Sequence, residues 1–293
     1  MVDSDRADPA GRSAATVAVR FHGALGDFLP VRRRETLLQR PIAGRPSVKD
    51  VLEAAGVPHP EIDRIVVNGR LVDPGHRLRP GDRVDAYPTG RARLAGTSAV
   101  PRFVLDGHLG RLAAHLRMCG FDTAYRRDAD DAELAAVAAA EERVLLSRDI
   151  GLLKRSIVRR GAFVRADRPR DQLVEILGRF GLQDSVRPFS RCLRCNGRLE
   201  PVDRASVRAL VPPRVFGEQD AFRRCAACGG VYWRGSHHRR MTRLLEDVLA
   251  EVAARALDGI GGEPEPLTNG SGGVALAGTP SSETMEESDV RRA

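Results

Sequence analysis

The chain contains no run near the roughly 18 to 20 apolar residues that a membrane span requires, and its first thirty residues lack a basic start followed by an apolar stretch. We therefore expect a cytoplasmic chain with no membrane attachment. Cysteine is scarce: five in 293 residues is too few for a disulfide framework in a chain this long, and four of them fall into two C-x-x-C pairs, a spacing that suits metal. Lysine is almost missing, since only Lys49 and Lys154 stand among 47 basic residues. So lopsided a choice of arginine reads as compositional, with Ala and Gly also abundant, so the location of the net +8 matters more than its size. Residues 186 to 240 carry 12 basic against 4 acidic side chains, and residues 241 to 293 carry 4 against 10. The basic excess is local and coincides with the paired cysteines, the balance of a surface that meets phosphate.

The length allows two or three domains. Residues 1 to 14 are polar without periodicity and are expected to be disordered. Val17, Val19 and Phe21 then alternate like a strand, a loop containing Phe28-Leu29-Pro30 follows, and Ser47 to Gly56 reads as a helix with Ser47 as N-cap and Gly56 as stop. Ile65 to Val72 is a strand pair turning through Asn68-Gly69, and Pro80 to Pro88 is a turn feeding a last strand. This is a small α+β domain over 15–90. Its V-x-V-R-F, S-V-K-D-V-L-E, V-V-N-G and P-G-D-R-V-D-A-Y-P segments resemble the ubiquitin-like β-grasp fold of sulfur-carrier proteins. The carriers' chemistry needs a free C-terminal diglycine, whereas this chain runs on through Tyr87-Pro88-Thr89-Gly90-Arg91. An interaction module with a protein partner is the preferred expectation, and sulfur transfer the weaker one. Residues 91–100 read as a linker.

From Arg102 strand and helix alternate: strand 102–106, an apolar helical face of Leu109, Leu112, Ala113 and Leu116, strand 121–125, helix 131–142, strand 144–147, strand 162–165 and helix 172–179. That is the pattern of an α/β domain with a parallel central sheet, expected over 101–185, and such sheets place sites outside the carboxyl ends of their strands. Asp106 ends the first strand and Asp149 follows Val144-Leu145-Leu146-Ser147-Arg148. Asp131 or Glu133 supplies a third acid from the intervening helix. Converging carboxylates repel, and a divalent cation, Mg²⁺ or Mn²⁺, relieves that repulsion while activating water for phosphodiester hydrolysis. Each acid has a plainer reading: Asp106 and Asp149 as helix caps, and Asp130 with Glu133 as a capping box.

The segments D-G-H-L-G-R-L-A-A-H-L-R-M-C-G-F-D (106 to 122), D-A-E-L (131 to 134) and E-R-V-L-L-S-R-D-I-G-L-L-K-R (142 to 155) resemble the Mut-seven C-terminal RNase family, a branch of the PIN-domain nucleases. The resemblance covers most of 101–240, includes a four-cysteine ribbon, and accords with a ubiquitin-like domain in front. It implies an acidic cluster at Asp106, Asp131 and Asp149, with Glu133 as an additional acid. Ser147 stands where a Thr is usual and keeps a hydroxyl that can orient Asp149. Arg148, Lys154 and Arg155 flank that acid and suit a nucleic-acid backbone. Arg111 and Arg117 are expected to lie on a solvated helix face, and His108 is left outside the site.

Cys192-x-x-Cys195 and Cys225-x-x-Cys228 are expected to close a tetrahedral structural zinc site in a ribbon over 186–240. Arg194 and Arg198 stand beside the first pair, and Phe222, Tyr232 and Trp233 near the second. Basic groups interleaved with aromatics suit single-stranded RNA, although the aromatics could equally fill a small core. Cys119 reads as packing. A helix over 241–257 presents Leu244, Leu245, Val248, Leu249 and Val252, expected to pack on the ribbon or the sheet, and 258–293 reads as a disordered acidic tail. The expectation is a metal-dependent ribonuclease. The rival is a non-catalytic RNA- or ribosome-associated adaptor.

Overall fold

The computed structural model describes residues 15–89 and 100–258. The expected N-terminal disorder, the linker up to residue 99 and the tail from residue 259 lie outside them. No helix among the described residues is long and apolar enough to cross a membrane.

The first lobe is a five-stranded sheet in the order β2-β1-β5-β3-β4 around helix α1, where β1 is Thr16–Phe21, β2 Leu38–Pro41, α1 Val48–Ala54, β3 Ile62–Val67, β4 Arg70–Val72 and β5 Arg83–Pro88. Strand β1 pairs parallel with β5 and antiparallel with β2. The alternation seen in the sequence is the cause: Val17, Val19 and Phe21 point inward and meet Val51, Leu52, Ile65, Val67 and Val84 in one core. Ser47 caps α1 by accepting from the Asp50 amide at 3.2 Å. Asn68 and Gly69 both adopt positive φ, 51° and 79°, as the tight β3–β4 hairpin demands. Strand β2 was not expected, because Leu38–Pro41 offers one half-buried apolar residue and no alternation.

The second lobe is a four-stranded, all-parallel sheet ordered β7-β6-β8-β9, built from β6 Phe103–Leu105, β7 Thr123–Tyr125, β8 Val144–Ser147 and β9 Gly161–Phe163. Helices α2 (Gly110–Met118) and α5 (Pro169–Phe180) cover one face. Helices α3 (Asp131–Ala140) and α4 (Ile150–Leu153) cover the other. Burial on both faces explains why β8 reads as an uninterrupted apolar run. The chain moves from β6 to β7 on one side and then to β8 on the other, so the switch point lies between the carboxyl ends of β6 and β8.

The third element is a three-stranded antiparallel ribbon, β10 Leu199–Val202, β11 Phe222–Cys225 and β12 Val231–Trp233, with short helix α6 (Pro213–Glu218) between β10 and β11. The last helix, α7, runs from Ser236 to Asp258, starting earlier than expected. It packs chiefly on α5, where Leu245, Val248 and Val252 are buried and Arg170 pairs with Glu251 at 2.6 Å, and its first turn meets the ribbon through His238 and Phe189.

The two open edges of the parallel sheet are each closed by another element. At β9, Glu61 is 1% exposed and accepts the Phe163 amide at 2.6 Å and both Arg179 guanidinium nitrogens at 3.0 and 2.9 Å. Arg165 adds a contact to Glu61 and lies over the Phe28 ring, 5.1 Å from its centroid. His59 donates to the Val158 carbonyl at 2.7 Å and Lys154 to the Glu53 carbonyl at 2.6 Å. Thr89 is tied back to Glu61 and Pro60, so the end of β5, from which a sulfur carrier would project its tail, is held at this junction. At β7, the Asn196 side chain accepts the Thr123 amide at 3.0 Å and donates to Asp122 at 2.8 Å. Arg117 donates from inside to the carbonyls of Thr123, Leu193 and Arg194.

Glu61 is an ionised group buried among donors, so its removal leaves Arg179 and the Phe163 amide without an acceptor. Glu61→Ala is expected to cost about 3 kcal/mol, read as a lower urea midpoint of the full chain. An unchanged midpoint would place the attachment of the first lobe elsewhere. Asp122 works in the acid range. Its burial alone would raise its pKa, but hydrogen bonds from Arg143 and Asn196 and the charges of Arg143 and Arg191 outweigh that and hold it below the usual range. Its contribution is therefore full above about pH 4 and lost as pH falls through the depressed value. Asp122→Asn should flatten the fall of the urea midpoint below that pH.

Candidate functional site

Asp106 follows β6 and opens the short 3-10 turn Gly107–Leu109, yet its carboxylate makes no capping bond there. It instead accepts the Ser147 hydroxyl at 2.8 Å. Ser147 is fully buried at the end of β8, and its oxygen in turn accepts the backbone amide of Asp149 at 2.8 Å. One hydroxyl thus ties together the ends of the two strands that flank the switch point. The sequence suggested that it would orient Asp149; it holds the Asp149 main chain and, in addition, the Asp106 carboxylate.

Asp149 caps α4, its Oδ1 accepting the amides of Gly151 at 2.6 Å and Leu152 at 3.2 Å. The plain capping reading therefore holds for Asp149 and fails for Asp106. A cap uses one carboxylate oxygen and leaves Oδ2 without a bond among the described residues. Asp131 is the first residue of α3, half-buried, and its carboxylate has no hydrogen bond or ion pair among the described residues. Glu133 is committed elsewhere: it completes the capping box with Asp130, accepting that residue's amide at 3.2 Å, and pairs with Arg126. Of the two candidates for the third acid, Asp131 is the one with a free carboxylate.

The loop carrying these acids comes close to β6 because two glycines permit it. A Cβ on Gly107 would lie 2.6 Å from the Arg127 carbonyl, and one on Gly110 would lie 2.5 Å from the Tyr125 hydroxyl, which donates to the Gly107 carbonyl at 2.9 Å. Asp106, Asp131 and Asp149 have no basic partner among the described residues. Nor do their oxygens form a closed cluster, since the only group of three or more ligating side chains within 4.8 Å of one another there is the cysteine set. This donor set fits a hard cation that keeps most of its waters and takes one or two protein carboxylates, as Mg²⁺ does.

The basic residues divide. Arg155, Arg194 and Arg198 are exposed and have no side-chain partner among the described residues. Arg148 bonds the Ala166 carbonyl at 2.9 Å and pairs with Asp167 at 2.7 Å. The Lys154 ammonium donates to the Glu53 carbonyl of the first lobe at 2.6 Å. Arg117 is likewise no solvated residue: it is 5% exposed and anchors the ribbon. Its place could have been read from the sequence, since it falls four residues after Ala113 on the apolar stripe. Arg111 and His108 are exposed, and Cys119 is fully buried, its thiol pushed up to about 12 by burial.

The four cysteines converge. Cys192 and Cys228 sulfurs lie 3.7 Å apart, and Cys195 and Cys225 sulfurs 3.4 Å apart. The two knuckles repeat one backbone pattern: Asn196 and Gly229 take positive φ of 70° and 72°, each donating to the carbonyl of the first cysteine of its pair. The first cysteine's amide then donates to Gly197 in one and Gly230 in the other. A Cβ on Gly197 would come within 2.8 Å of the Cys225 sulfur, so only glycine lets the knuckles meet. The Tyr232 hydroxyl lies 2.9 Å from the Cys192 sulfur. Burial pushes the Cys192 thiol up, but hydrogen bonds from Tyr232 and from backbone amides prevail and bring it to about 6. Four sulfurs so placed can hold a thiophilic ion and leave no open position for catalysis.

Around the second pair, Arg204 lies 4.4 Å over the Phe216 ring, and Arg214 pairs with Glu218 at 2.7 Å. Val207, Val211 and Phe222 form a small core to which Trp233 adds.

Two family models match the chain: the Mut7-C RNAse domain over residues 101–245 and the Mut7-C ubiquitin domain over residues 14–93. No curated protein and no solved structure matches it. One equivalent of thiophilic metal per chain is expected on elemental analysis. Cys225→Ser should release it and leave the ribbon sensitive to protease, whereas retention of the ion would remove Cys225 from the ligand set.

Proposed function

The chain belongs to the Mut7-C family, with an RNAse domain behind a ubiquitin-like domain, and we propose that it is a ribonuclease dependent on Mg²⁺ or Mn²⁺, working at Asp106, Asp131 and Asp149. The observation that carries this reading is the buried Ser147 hydroxyl joining Asp106 to Asp149 at the switch point, with no cation among the described residues paired with either acid.

In this reading Asp106 and Asp149 each offer a carboxylate oxygen that no donor among the described residues takes, and Asp131 supplies a third from the start of α3. A divalent cation bound there supplies Lewis acidity toward a phosphoryl oxygen and a lowered pKa for water. Ser147 fixes the Asp106 rotamer and keeps the two strand ends in register. Arg155, Arg194 and Arg198 meet the RNA backbone; Arg148 frames the edge of the cleft through Asp167. The cysteine set holds zinc as a structural ion, the choice favoured by four thiolates in tetrahedral reach. The ubiquitin-like lobe, docked by its α1 and Glu61 end, leaves its outer sheet face for a protein partner, and the whole acts in the cytoplasm.

Purified full-length protein should cut a labelled mixed-sequence RNA when Mn²⁺ or Mg²⁺ is present and leave it intact in EDTA. Ser147→Ala is expected to slow cleavage roughly 10- to 100-fold, the scale for a group that holds a ligand without being one, and Asp149→Asn to slow it further. Equal cleavage by wild type and Asp149→Asn would expose a contaminant. RNA that is bound but never cut would favour the adaptor.

A further inference from the structure

The ribbon and the first turn of α7 enclose a cavity of about 560 Å³, within the roughly 300 to 1,000 Å³ usual for small-molecule sites. None of Asp106, Asp131 and Asp149 lines it. Four of the residues around it carry rings: Phe189 and His238, whose centroids lie 4.2 Å apart, and Tyr232 and Trp233, neighbours on β12 whose side chains pack toward Cys192 and toward Phe222 respectively. Its rim is cationic, with Arg223 and Arg234, and no carboxylate lines it.

Three details indicate a built site. Phe189 adopts φ 54°, a left-handed form that a residue with a side chain takes only when held there. It is held: its amide donates to Met118 at 2.8 Å and its carbonyl accepts Arg223 at 3.4 Å. His238 has its pKa lowered by burial and by the Arg234 charge, and its Nδ1 lies 3.4 Å from the Thr242 hydroxyl. Its Nε2 has no partner among the described residues. Arg234 is exposed and its guanidinium also has no partner among them.

Free phosphate has no need of four ring systems, and an apolar peptide has no need of a cationic rim. A nucleotide uses both, with base faces for the rings and phosphate for the arginines. We propose that this cavity takes a nucleobase of single-stranded RNA, seated between the Phe189–His238 pair and the Tyr232–Trp233 strand, with flanking phosphates met by Arg234 and Arg223. This rests on the reading of the chain as an RNA-binding protein and gives the ribbon a definite part in it: the ribbon grips an unpaired nucleotide away from the bond to be cut.

Trp233 is the sole tryptophan of the chain and borders this cavity, so its fluorescence follows binding there. The metal-loaded, full-length Asp149→Asn protein is titrated, without added Mg²⁺ or Mn²⁺, with a short single-stranded RNA and with an abasic strand of equal length and charge. The base-bearing strand is expected to quench Trp233 and to bind about tenfold tighter than the abasic one. His238→Ala should close that gap, and Arg234→Ala should weaken both strands. Equal binding and equal quenching by the two strands, or no quenching by either, overturns the proposal, as does a gap that survives in both His238→Ala and Phe189→Leu. Nuclease activity is read separately by cleavage, so quenching without cleavage would leave this site standing while removing the catalytic reading, and cleavage without quenching would do the reverse.

Discussion

A parallel sheet of four strands is buried on both faces but has two edges, and the satisfaction of those edges is the constraint on which the molecule depends. Each edge strand carries amide groups with no neighbouring strand to accept them. Here each edge is met by a side-chain oxygen from another part of the chain: Glu61 at Phe163 on one side and Asn196 at Thr123 on the other. The ubiquitin-like lobe and the ribbon are therefore fixed to the sheet by the same device. The switch point, with Asp106 and Asp149, is held between two braced flanks.

The arginine-rich composition acquires a physical sense within this arrangement. Arg117 serves three carbonyls, Arg179 grips both oxygens of Glu61, and Arg143 bonds Asp122, Glu141 and the Phe103 carbonyl. A planar guanidinium with five donors can satisfy several acceptors at an inter-element seam while remaining charged. An ammonium, a point donor on a flexible stem, does this less well. Much of the positive charge that composition alone assigns to solvent, Arg117 above all, is structural. Arg155, Arg194 and Arg198 are among the arginines left exposed without such a partner among the described residues.

The order of elements was legible in the sequence because local patterns decide it. Alternation marks β1, an uninterrupted apolar run marks β8, Ser47 and Gly56 bracket α1, and the two C-x-x-C pairs mark the knuckles. Strand β2 was not legible, since Leu38–Pro41 is held by pairing with β1 and not by its own pattern. Asp106 and Asp149 could be placed at the strand ends from spacing alone. The link between them could not, because it depends on which way a serine hydroxyl turns once β6 and β8 lie side by side. The bond of Lys154 to the Glu53 carbonyl is hidden for the same reason: the two residues are a hundred positions apart, and only the docking of the two lobes brings them together. The cavity beside Trp233 was half visible as aromatics among arginines, but Phe189 and His238 join it through chain reversals that no spacing records.

The way the edges are closed also bears on how this chain can be divided. Excision of the central sheet along its domain boundaries would remove Glu61 and Asn196 together and present two bare strands, each a ready template for a second molecule. The central fragment that sequence boundaries invite one to cut out would be a sticky object, prone to stack edge to edge, whereas the intact chain keeps its strands to itself.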